Sequence, residues 1–317
     1  MKKLLALILV LTLVLGMGIV ASAAPVAPTY VPIEKQFNLV NNSEGILSPS
    51  EEFSFTITPL VEEVHGYSVP LFSPNTFTIN FDEGDADLAK IENVELPSYD
   101  KVGIYTYKLV ENGSNTAGVG YDASELTLTV NVINSDSGPV VDSMFMSNGD
   151  NKVEGFVNTF SAGNLVITKT VEGNLGDKTK EFDITVTLNK PAEKNIDTVK
   201  VVYDGGKYED VPVTFTGNTA VLDLQIKHGD TITIANLPYG VTYTVDEDDY
   251  STEGYTVDGE VLESQIISAE NNVKLINTNN TEINTGVNLD NLPYILILGA
   301  ATLGLVGFTM RKRFNNR

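Results

Sequence analysis

The stretch LTLTVNV at residues 126–132 alternates apolar and polar side chains without interruption. Residues 53–57 (FSFTI), 182–188 (FDITVTL) and 211–215 (VPVTF) repeat this pattern. A period of two places every second side chain on one face, so each stretch predicts a strand with one buried face. Turn-forming pairs such as Asn112-Gly113 lie between the stretches, and no convincing helical period occurs between the two ends of the chain. Many short strands joined by turns predict an all-β chain built from β-sandwich domains.

The N-terminal end has the layout of a secretory signal. Lys2-Lys3 precedes an apolar run at residues 4–20, and Ala21-Ser22-Ala23 follows as a small-residue cleavage site. A basic region, an apolar region and a small-residue site in this order predict a signal peptide at residues 1–23. A retained membrane anchor is the alternative, which the small residues and the nearby Pro25 disfavour. We therefore expect an exported chain.

A second apolar run lies near the C-terminus, at residues 292–310, and the basic stretch Arg311-Lys312-Arg313 follows it. A helix of this length would span roughly 28 Å, which is close to the thickness of a bilayer core. The basic tail would stay in the cytoplasm by the positive-inside rule. We expect a transmembrane helix within residues 281–317 that holds the precursor transiently in the plasma membrane. A plain transmembrane anchor is the simpler alternative.

The chain is strongly acidic and contains no cysteine. It has 42 acidic and 20 basic residues, which give a formal net charge of −22. Such a surface repels nucleic acid and anionic lipid, so nucleic-acid binding is excluded as a function. An exported chain without cysteine also lacks disulfides. Any covalent reinforcement of its domains must therefore use other chemistry.

Three sequence elements occur twice in the same order, which indicates an internal duplication. The first contains a lysine, the second a glutamate and the third an asparagine. The lysine-to-glutamate spacings are 76 and 78 residues, and the glutamate-to-asparagine spacings are 47 and 30. We expect two domains, at residues 30–160 and 161–280. The elements are VPIEKQF (31–37), GIYTYKLVE (103–111) and GFVNTF (155–160) in the first copy, and LVITKTV (165–171), GVTYTVDE (240–247) and KLINTN (274–279) in the second.

The repeated lysines lie in apolar surroundings. Lys35 stands between an isoleucine and a phenylalanine at two-residue spacing, and Lys169 has apolar neighbours at the same spacing. In a strand this spacing puts the lysine on the apolar face. Asn158 likewise stands between two phenylalanines, whereas Asn277 has one apolar and one polar neighbour. Because lysine is rarely buried without a partner, the glutamate of each copy is its expected partner.

Burial changes the chemistry of these side chains. A buried lysine has a lowered pKa, and its neutral amine is a nucleophile. A buried glutamate tends to be protonated, and it can then donate a hydrogen bond to the asparagine carbonyl oxygen. Attack of the amine on the amide carbon, with ammonia leaving, gives a Lys–Asn isopeptide bond in a single turnover. Ordinary Lys–Glu ion pairs beside an edge asparagine are the alternative, which the recurrence of the triple disfavours.

The chain resembles the two-domain backbone pilins of Gram-positive sortase-assembled pili. The motifs that carry the resemblance are GIYTYKLVE (103–111), YDASELTLTV (121–130), LVITKTVEG (165–173) and LPYGVTYTVDE (237–247). The resemblance implies two tandem immunoglobulin-like domains of the collagen-adhesin B type, between a signal peptide and a sorting signal. It also implies one isopeptide bond in each domain, from a lysine of the first strand to an asparagine of the last, with glutamate as catalyst. The implied residues are Lys35, Glu111 and Asn158 in the first domain and Lys169, Glu247 and Asn277 in the second.

The resemblance also gives the C-terminal segment a role. Members of the family end in a sorting signal with Pro-Thr-Gly, then an apolar span and a basic tail. Here Glu282-Ile283-Asn284-Thr285-Gly286 precedes the apolar run, with Asn284 where the family has proline, so the class of sortase is left open. Sortase would cleave between Thr285 and Gly286 and pass the Thr285 carboxyl to an amine. A polar linker that contains Thr-Gly by chance is the alternative.

In the family the acceptor amine belongs to a lysine shortly before the last strand of the first domain. Lys152, within NGDNKVEGFVN, has this place, and Lys101 and Lys90 are the next candidates. A surface lysine without a role is the alternative. The resemblance therefore implies identical subunits joined head to tail, with sortase, peptidoglycan and minor pilins as partners. It also implies a final location on the cell wall and in the pilus.

The sequence gives little support for an enzyme or a metal site. His65 and His228 are its two histidines, and neither has the spacing of a metal ligand or a catalytic triad. No cysteine nucleophile, phosphate-binding glycine loop or HExxH motif occurs. The acidic stretches at residues 82–87 and 246–249 lack EF-hand spacing, so calcium is a weak alternative to solvated charge. We expect no cofactor, no metal and no activity beyond the autocatalytic isopeptide step.

The sequence therefore predicts a structural protein: the backbone subunit of a covalently polymerised pilus on the cell surface. A wall-anchored adhesin or spacer that never polymerises is the alternative function. It would share the signal peptide, the isopeptide bonds and the anchor, and it would differ in giving one anchored species where a backbone subunit gives a series of multimers.

Overall fold

The computed structural model describes residues 27–41, 46–86, 88–192, 194–196, 199–203, 211–280 and 292–315. Within these ranges the ordered backbone consists mainly of strands, with a short 3-10 helix at Ser251–Glu253 and an α-helix at the C-terminal end. The chain divides into two compact units. Among the described residues, the first comprises 27–40 and 47–161, and the second comprises 41, 46 and those from 162 onward. The prediction of an all-β chain with two tandem domains is confirmed.

The first domain is built from two main sheets. Its strands are β1 (Tyr30–Leu39), β2 (Glu51–Pro59), β3 (Glu63–Val64), β4 (Tyr67–Ser68), β5 (Thr76–Phe81), β6 (Ala89–Glu95), β7 (Gly103–Asn112), β8 (Val119–Gly120), β9 (Glu125–Ser135), β10 (Gly138–Asn148), β11 (Asn151–Val153) and β12 (Gly155–Phe160). One sheet has the order β6-β1-β12-β8, and the other has the order β11-β10-β9-β7-β2-β5. Strands β3 and β4 form a separate hairpin.

The first and last strands of this domain are neighbours. β1 and β12 pair in parallel, with Phe37 opposite Asn158, and β6 pairs antiparallel with the other edge of β1. The close approach requires glycine at the start of β12, because a Cβ atom on Gly155 would lie 1.7 Å from the carbonyl oxygen of Glu34. The fold thus brings the two ends of the domain together within one sheet.

Phenylalanines form much of the core of the first domain. The ring of Phe37 meets the rings of Phe53 and Phe81 edge-to-face, at centroid distances of 5.1 and 5.6 Å. All three side chains are buried. Such aromatic pairs contribute about 0.5–1.5 kcal/mol each beyond the burial of their area. The alternation at residues 53–57 therefore directs one face of β2 into an aromatic core. Every second residue from Glu51 to Thr58 is buried accordingly.

The second domain also contains two main sheets. Its strands are β13 (Ala162–Glu172), β14 (Glu181–Asn189), β15 (Lys200–Tyr203), β16 (Val211–Pro212), β17 (Thr219–Lys227), β18 (Thr231–Pro238), β19 (Thr242–Glu247), β20 (Thr256–Asp258), β21 (Val261–Gln265) and β22 (Glu270–Thr278). The sheets have the orders β16-β15-β18-β13-β22-β20 and β17-β14-β19-β21. The first and last strands, β13 and β22, again pair in parallel. The core between the sheets is mainly valine, isoleucine and leucine.

The alternation at residues 211–215 overstates the length of one strand. β16 covers only Val211–Pro212 and pairs with β15. Beyond Pro212, the N–H of Val213 still donates to the carbonyl oxygen of Val199 at 3.0 Å. Thr216 then turns back to form an isolated bridge with Thr219. The predicted strand is therefore two residues long in the structure.

The C-terminal apolar run forms α1 (Leu292–Asn315). Within the part of the chain that the structure describes, no helix combines the length and the apolar character that a membrane crossing requires. The predicted transmembrane helix is thus not found. The predicted signal peptide at residues 1–23 and the sorting motif at residues 282–286 lie outside the described residues.

Candidate functional site

Strand alternation directs Lys35 and Asn158 into the interior of the first domain. Lys35 lies on the buried face of β1, whose other members are apolar, and Asn158 lies on the buried face of β12 between two phenylalanines. In the parallel pairing Lys35 stands opposite Phe156, so Asn158 follows two residues further along the neighbouring strand. Both residues are 0% exposed. The amine and the amide are therefore neighbours in a site without solvent.

Glu111 of β7 contacts both side chains from the opposite sheet. Lys35 Nζ donates a hydrogen bond to Glu111 Oε2 at 2.6 Å, and Asn158 Nδ2 donates to Glu111 Oε1 at 2.5 Å. The carboxyl group therefore bridges the amine and the amide nitrogen. The ring of Phe53 lies 4.3 Å from Lys35 Nζ and shields the amine from water. The structure thus brings together the three residues that the sequence singled out in this domain.

Burial shifts the proton equilibrium of this pair. Loss of solvation lowers the pKa of Lys35, and the hydrogen bond to Glu111 opposes this effect without cancelling it. Burial likewise raises the pKa of Glu111, against the opposing hydrogen bonds from Lys35 and Asn158. The two pKa values therefore move towards each other. A neutral amine beside a protonated carboxyl group becomes accessible, and this is the state in which lysine is a nucleophile.

The second domain repeats the arrangement. Lys169 Nζ donates to Glu247 Oε2, and Asn277 Nδ2 donates to Glu247 Oε1 at 2.5 Å. Lys169 stands opposite Leu275 on the parallel neighbour β22, which gives the same two-residue offset to the asparagine as in the first domain. The ring of Phe182 lies 4.2 Å from Lys169 Nζ. Burial lowers the pKa of Lys169, and the contact with Glu247 opposes it.

The two sites differ at the carbonyl oxygen of the asparagine. In the first domain the backbone N–H of Asp122 donates to Asn158 Oδ1 at 2.8 Å. In the second domain Lys169 Nζ donates to Asn277 Oδ1 at 2.5 Å. From the sequence, we expected the glutamate to donate a hydrogen bond to this oxygen. In both domains the carboxyl group lies instead against the amide nitrogen, because other donors hold the oxygen.

Three further residues of these sites were not among those predicted from the sequence. Phe53 and Phe182 each cover a lysine amine, and each begins the alternating stretch of the strand that follows the lysine strand. Because Phe53 and Phe182 occupy the same position in the two copies of the repeat, the sequence could have identified them as site residues. Asp122 lies in the YDAS segment before β9 and contributes a backbone N–H. A backbone donor has no side-chain signature, so no residue pattern could reveal it.

Lys152 lies on the surface of the first domain. It belongs to β11, where it stands opposite Ser147 of β10, and its side chain is exposed. Its Nζ lies 5.0 Å from the centre of the Phe145 ring. A cavity of about 540 Å³ opens beside it, with Ile91 and Glu154 among its walls. The amine is therefore accessible to a second molecule next to a partly apolar hollow.

The two other candidate acceptor lysines have different surroundings. Lys90 Nζ donates to the carbonyl oxygen of Asn80 at 2.8 Å and forms an ion pair with Asp85 at 2.5 Å. Lys101 Nζ lies 4.9 Å from the centre of the Tyr67 ring. All three lysines rest on an aromatic ring, Lys90 on Phe81 at 4.8 Å, but Lys90 is also engaged by two oxygen atoms.

The histidines and the sorting motif complete the list of sequence candidates. His65 lies in the β3–β4 hairpin with a φ of 52°, and His228 Nδ1 accepts a hydrogen bond from the Val171 N–H at 3.0 Å. Among the described residues, no group of three or more His, Asp or Glu side chains is arranged to hold a metal ion. Thr285 and Gly286 fall outside the described part of the chain.

Comparison with known proteins matches each domain to a family. Residues 31–161 match the family described as Spy0128-like isopeptide containing domain, and residues 163–280 match a domain of unknown function, DUF7601. A curated pilin of Streptococcus pyogenes serotype M1 is 29% identical over 312 aligned residues, which cover 88% of this chain and 90% of the relative. The resemblance to backbone pilins is confirmed.

Solved structures of pilins share this fold. The major pilin from Streptococcus pyogenes aligns with 80% of this chain and 99% of its own length, at 23% identity and a TM-score of 0.54. A second major pilin from the same organism, T3.2, aligns with 80% of this chain and 98% of its own length, at 21% identity and a TM-score of 0.52. At these identities the likeness establishes the fold, which is the pilin arrangement of two tandem β domains.

Proposed function

We propose that this chain is the backbone subunit of a cell-surface pilus in which identical subunits are joined covalently, head to tail. The observation that carries the proposal is the buried Lys–Glu–Asn group in each domain of a chain that aligns with a curated pilin over 88% of its length. The family matched by the first domain is described by its isopeptide bond. An isopeptide bond would stabilise each domain in a chain that has no cysteine for disulfides.

In the first domain the proposed reaction joins Lys35 Nζ to Asn158 Cγ. The neutral amine attacks the amide carbon, the protonated Glu111 donates its proton to Nδ2 and takes one from Nζ in return, and ammonia leaves. One amine and one primary amide thus give one secondary amide and one ammonia. Glu111 suits the role of proton carrier because it contacts both nitrogen atoms, at 2.6 and 2.5 Å. The reaction consumes its own side chains, so it runs once in each domain.

The second domain supports the same reaction with its own residues. Lys169 Nζ would attack Asn277 Cγ, and Glu247 would carry the proton between the two nitrogen atoms. Holding both reactants in contact inside a folded domain replaces an encounter in solution, and this proximity supplies much of the rate. Each domain therefore contains everything that its bond requires.

Polymerisation would use the two ends of the subunit. We propose that residues 1–23 direct export and that sortase cleaves between Thr285 and Gly286. Sortase would then transfer the Thr285 carboxyl to Lys152 of the next subunit. The exposed Nζ of Lys152 and the cavity beside it support this choice. A contact between two different surfaces does not close on itself, so repetition yields a fibre. Transfer to peptidoglycan would attach the fibre to the wall, and minor pilins would be further partners.

Immunoblots of cell-wall extracts test this proposal. In cells with the cognate sortase, the wild-type chain should give a ladder of multimers that survives boiling in detergent. Lys152→Arg keeps the positive charge but removes a usable nucleophile, because guanidinium stays protonated. This variant should be attached to the wall without a ladder. Lys101→Arg is the matched control, since Lys101 also rests on an aromatic ring in the same domain, and it should keep the ladder.

The other outcomes of this experiment are equally informative. A single anchored species from the wild-type chain would favour the adhesin or spacer over the backbone subunit. A persistent ladder in Lys152→Arg would contradict Lys152 as the acceptor. Loss of the ladder in Lys101→Arg or Lys90→Arg would then identify the lysine that accepts the neighbouring subunit.

A further inference from the structure

We propose that the YDAS segment at residues 121–124 serves the crosslinking reaction of the first domain by holding the Asp122 backbone N–H as an oxyanion donor. The inference rests on the isopeptide reaction proposed above. The N–H lies 2.8 Å from Asn158 Oδ1, which is the atom that gains negative charge when the amine attacks the amide carbon. Fixed donors aimed at such an atom stabilise the transition state strongly in a site without water.

The same donor fixes the orientation of the reacting amide. A backbone N–H can only donate, so the amide atom of Asn158 that faces Asp122 must be the oxygen. The amide nitrogen then faces Glu111, at 2.5 Å from Oε1. The leaving nitrogen therefore points at the proton carrier, and the carbonyl oxygen points at a fixed dipole. Attack on the amide carbon requires this orientation of the Asn158 amide, with its oxygen toward the donor and its nitrogen toward Glu111.

The side chain of Asp122 ties the segment to the strand that carries the amide. Its Oδ1 accepts the Ser124 N–H at 2.9 Å, and its Oδ2 accepts the Val157 N–H at 3.0 Å. Val157 directly precedes Asn158 in β12. Partial burial acts to raise the pKa of Asp122, but hydrogen bonds from Ser124 and Val157 hold it below the usual value. The carboxylate therefore stays ionised and keeps both contacts.

Tyr121 anchors the other side of the peptide between Tyr121 and Asp122. Its hydroxyl donates to Glu51 Oε1 at 2.8 Å and accepts the Thr116 N–H at 3.1 Å. Thr116 Oγ1 also donates to Glu51 Oε2 at 2.5 Å, and Glu51 is buried at the start of β2. The donating N–H belongs to the peptide between Tyr121 and Asp122, so anchored side chains flank it on both sides. The donor is thus in place before the reaction begins.

The second domain provides an internal reference. There the hydrogen bond to Asn277 Oδ1 comes from Lys169 Nζ. A change in the YDAS segment should therefore slow the bond of the first domain and leave the bond of the second domain at its normal rate. The bond of the second domain therefore serves as an internal control in every molecule.

The test replaces one backbone N–H by an ester oxygen. The full 317-residue chain is made by cell-free translation with the α-hydroxy analogue of aspartate at position 122. Mass spectrometry then follows the loss of ammonia from each domain over time. Loss of one oxyanion donor slows a reaction by roughly 100-fold, so we expect that slowing in the first domain only. The factor by which the ester slows the reaction should be the same at all pH values, because the N–H does not titrate. Glu111 variants should instead change the shape of the profile of crosslinking rate against pH.

The matched control is an ester at Leu60. Its N–H donates to the carbonyl oxygen of Thr106 at 3.0 Å, in the same domain but away from the reacting atoms. This chain loses a backbone hydrogen bond of the same kind and should crosslink at nearly the wild-type rate. Protease resistance is measured in the same reactions, and only folded molecules are counted. Equal first-domain rates for the two esters would overturn the proposal.

A side-chain variant decides the matter if the ester at position 122 fails to fold. Asp122→Ala keeps the N–H but removes both carboxylate anchors, so we expect a first-domain rate below that of the wild type and an unchanged second-domain rate. A wild-type rate in Asp122→Ala would overturn the positioning role. Absence of ammonia loss from the wild-type chain would instead contradict the isopeptide reaction itself, which separates the two failures.

Discussion

Lys35 Nζ lies 2.6 Å from Glu111 Oε2, and the two side chains are 0% and 1% exposed. In their charged forms, two groups this deeply buried lose most of their solvation, which costs several kcal/mol per ion. The proposed bond changes this balance, because it turns the lysine amine into an uncharged amide nitrogen. The unreacted pair is therefore a high-energy arrangement that the crosslinking reaction relieves.

The first prediction concerns mass. The folded wild-type chain should be lighter than its sequence by two molecules of ammonia. Glu111→Gln should prevent the first bond and leave the second, and Glu247→Gln should do the reverse, because each carboxyl group serves its own domain. Intact mass counts the bonds and peptide mapping locates them. An unmodified wild-type mass would contradict both bonds, and a Gln variant that still loses both ammonia molecules would remove the glutamate from its role as proton carrier.

Stability should depend on the same bonds. A crosslink that closes a loop of more than 100 residues contributes about 4–5 kcal/mol in the chain-entropy model, by analogy with disulfides. Asn158→Ala removes the amide that Lys35 attacks, so it should lower the melting temperature and the trypsin resistance of the first domain. Asn93→Ala, at an exposed position of β6, is the control and should change neither. Identical denaturation curves for the two variants would show that no crosslink is present.

The uncrosslinked first domain should also depend on pH through Glu111. Burial raises the folded-state pKa of Glu111 above its usual value of 4.5. Between the unfolded and the folded pKa the folded state binds more protons, so the free energy of unfolding falls as the pH rises through this window. Asn158→Ala should show this fall when compared with the double variant Asn158→Ala/Glu111→Gln in urea titrations. A difference that is constant with pH would contradict the raised pKa.

The close approach of β1 and β12 supplies another test. A Cβ atom in Gly155→Ala would lie 1.7 Å from the carbonyl oxygen of Glu34, so the two strands must separate there. Asn158 would then move away from Lys35, and we expect the first domain to keep its ammonia while the second domain loses its own. Gly113→Ala is the matched control, because a Cβ atom there meets nothing within 4 Å. Normal crosslinking in Gly155→Ala would show that the reaction does not need this register.

Local alternation predicted which way the key side chains point. Lys35 and Asn158 each have apolar neighbours at a spacing of two, and in a strand that spacing alone decides the face. The alternating stretches at residues 53–57, 126–132 and 182–188 accordingly lie within β2, β9 and β14. Glu111 was predicted from the internal repeat instead, because no local pattern links it to Lys35, which is 76 positions away.

Other features depend on contacts that a single sequence does not encode locally. The parallel pairing of β1 with β12 joins the two ends of a domain, and strand order is a property of the whole fold. The contact of Asp122 with Asn158 uses a backbone N–H, which every residue except proline carries. The strand predicted at residues 211–215 was too long, since alternation does not reveal where the chain turns back, here at the bridge between Thr216 and Thr219.

The parallel pairing of β1 and β12 has a mechanical consequence. A pull on the N-terminal end of β1 and the C-terminal end of β12 acts along both strands in opposite directions, so their hydrogen bonds bear the load together rather than one after another. The proposed bond lies inside this pair. Force that enters along β1 would cross at Lys35 and leave from Asn158, and the residues between these two positions would carry no tension. The domain would then resist extension like a short length of covalent chain, with its sandwich folded beside the load path.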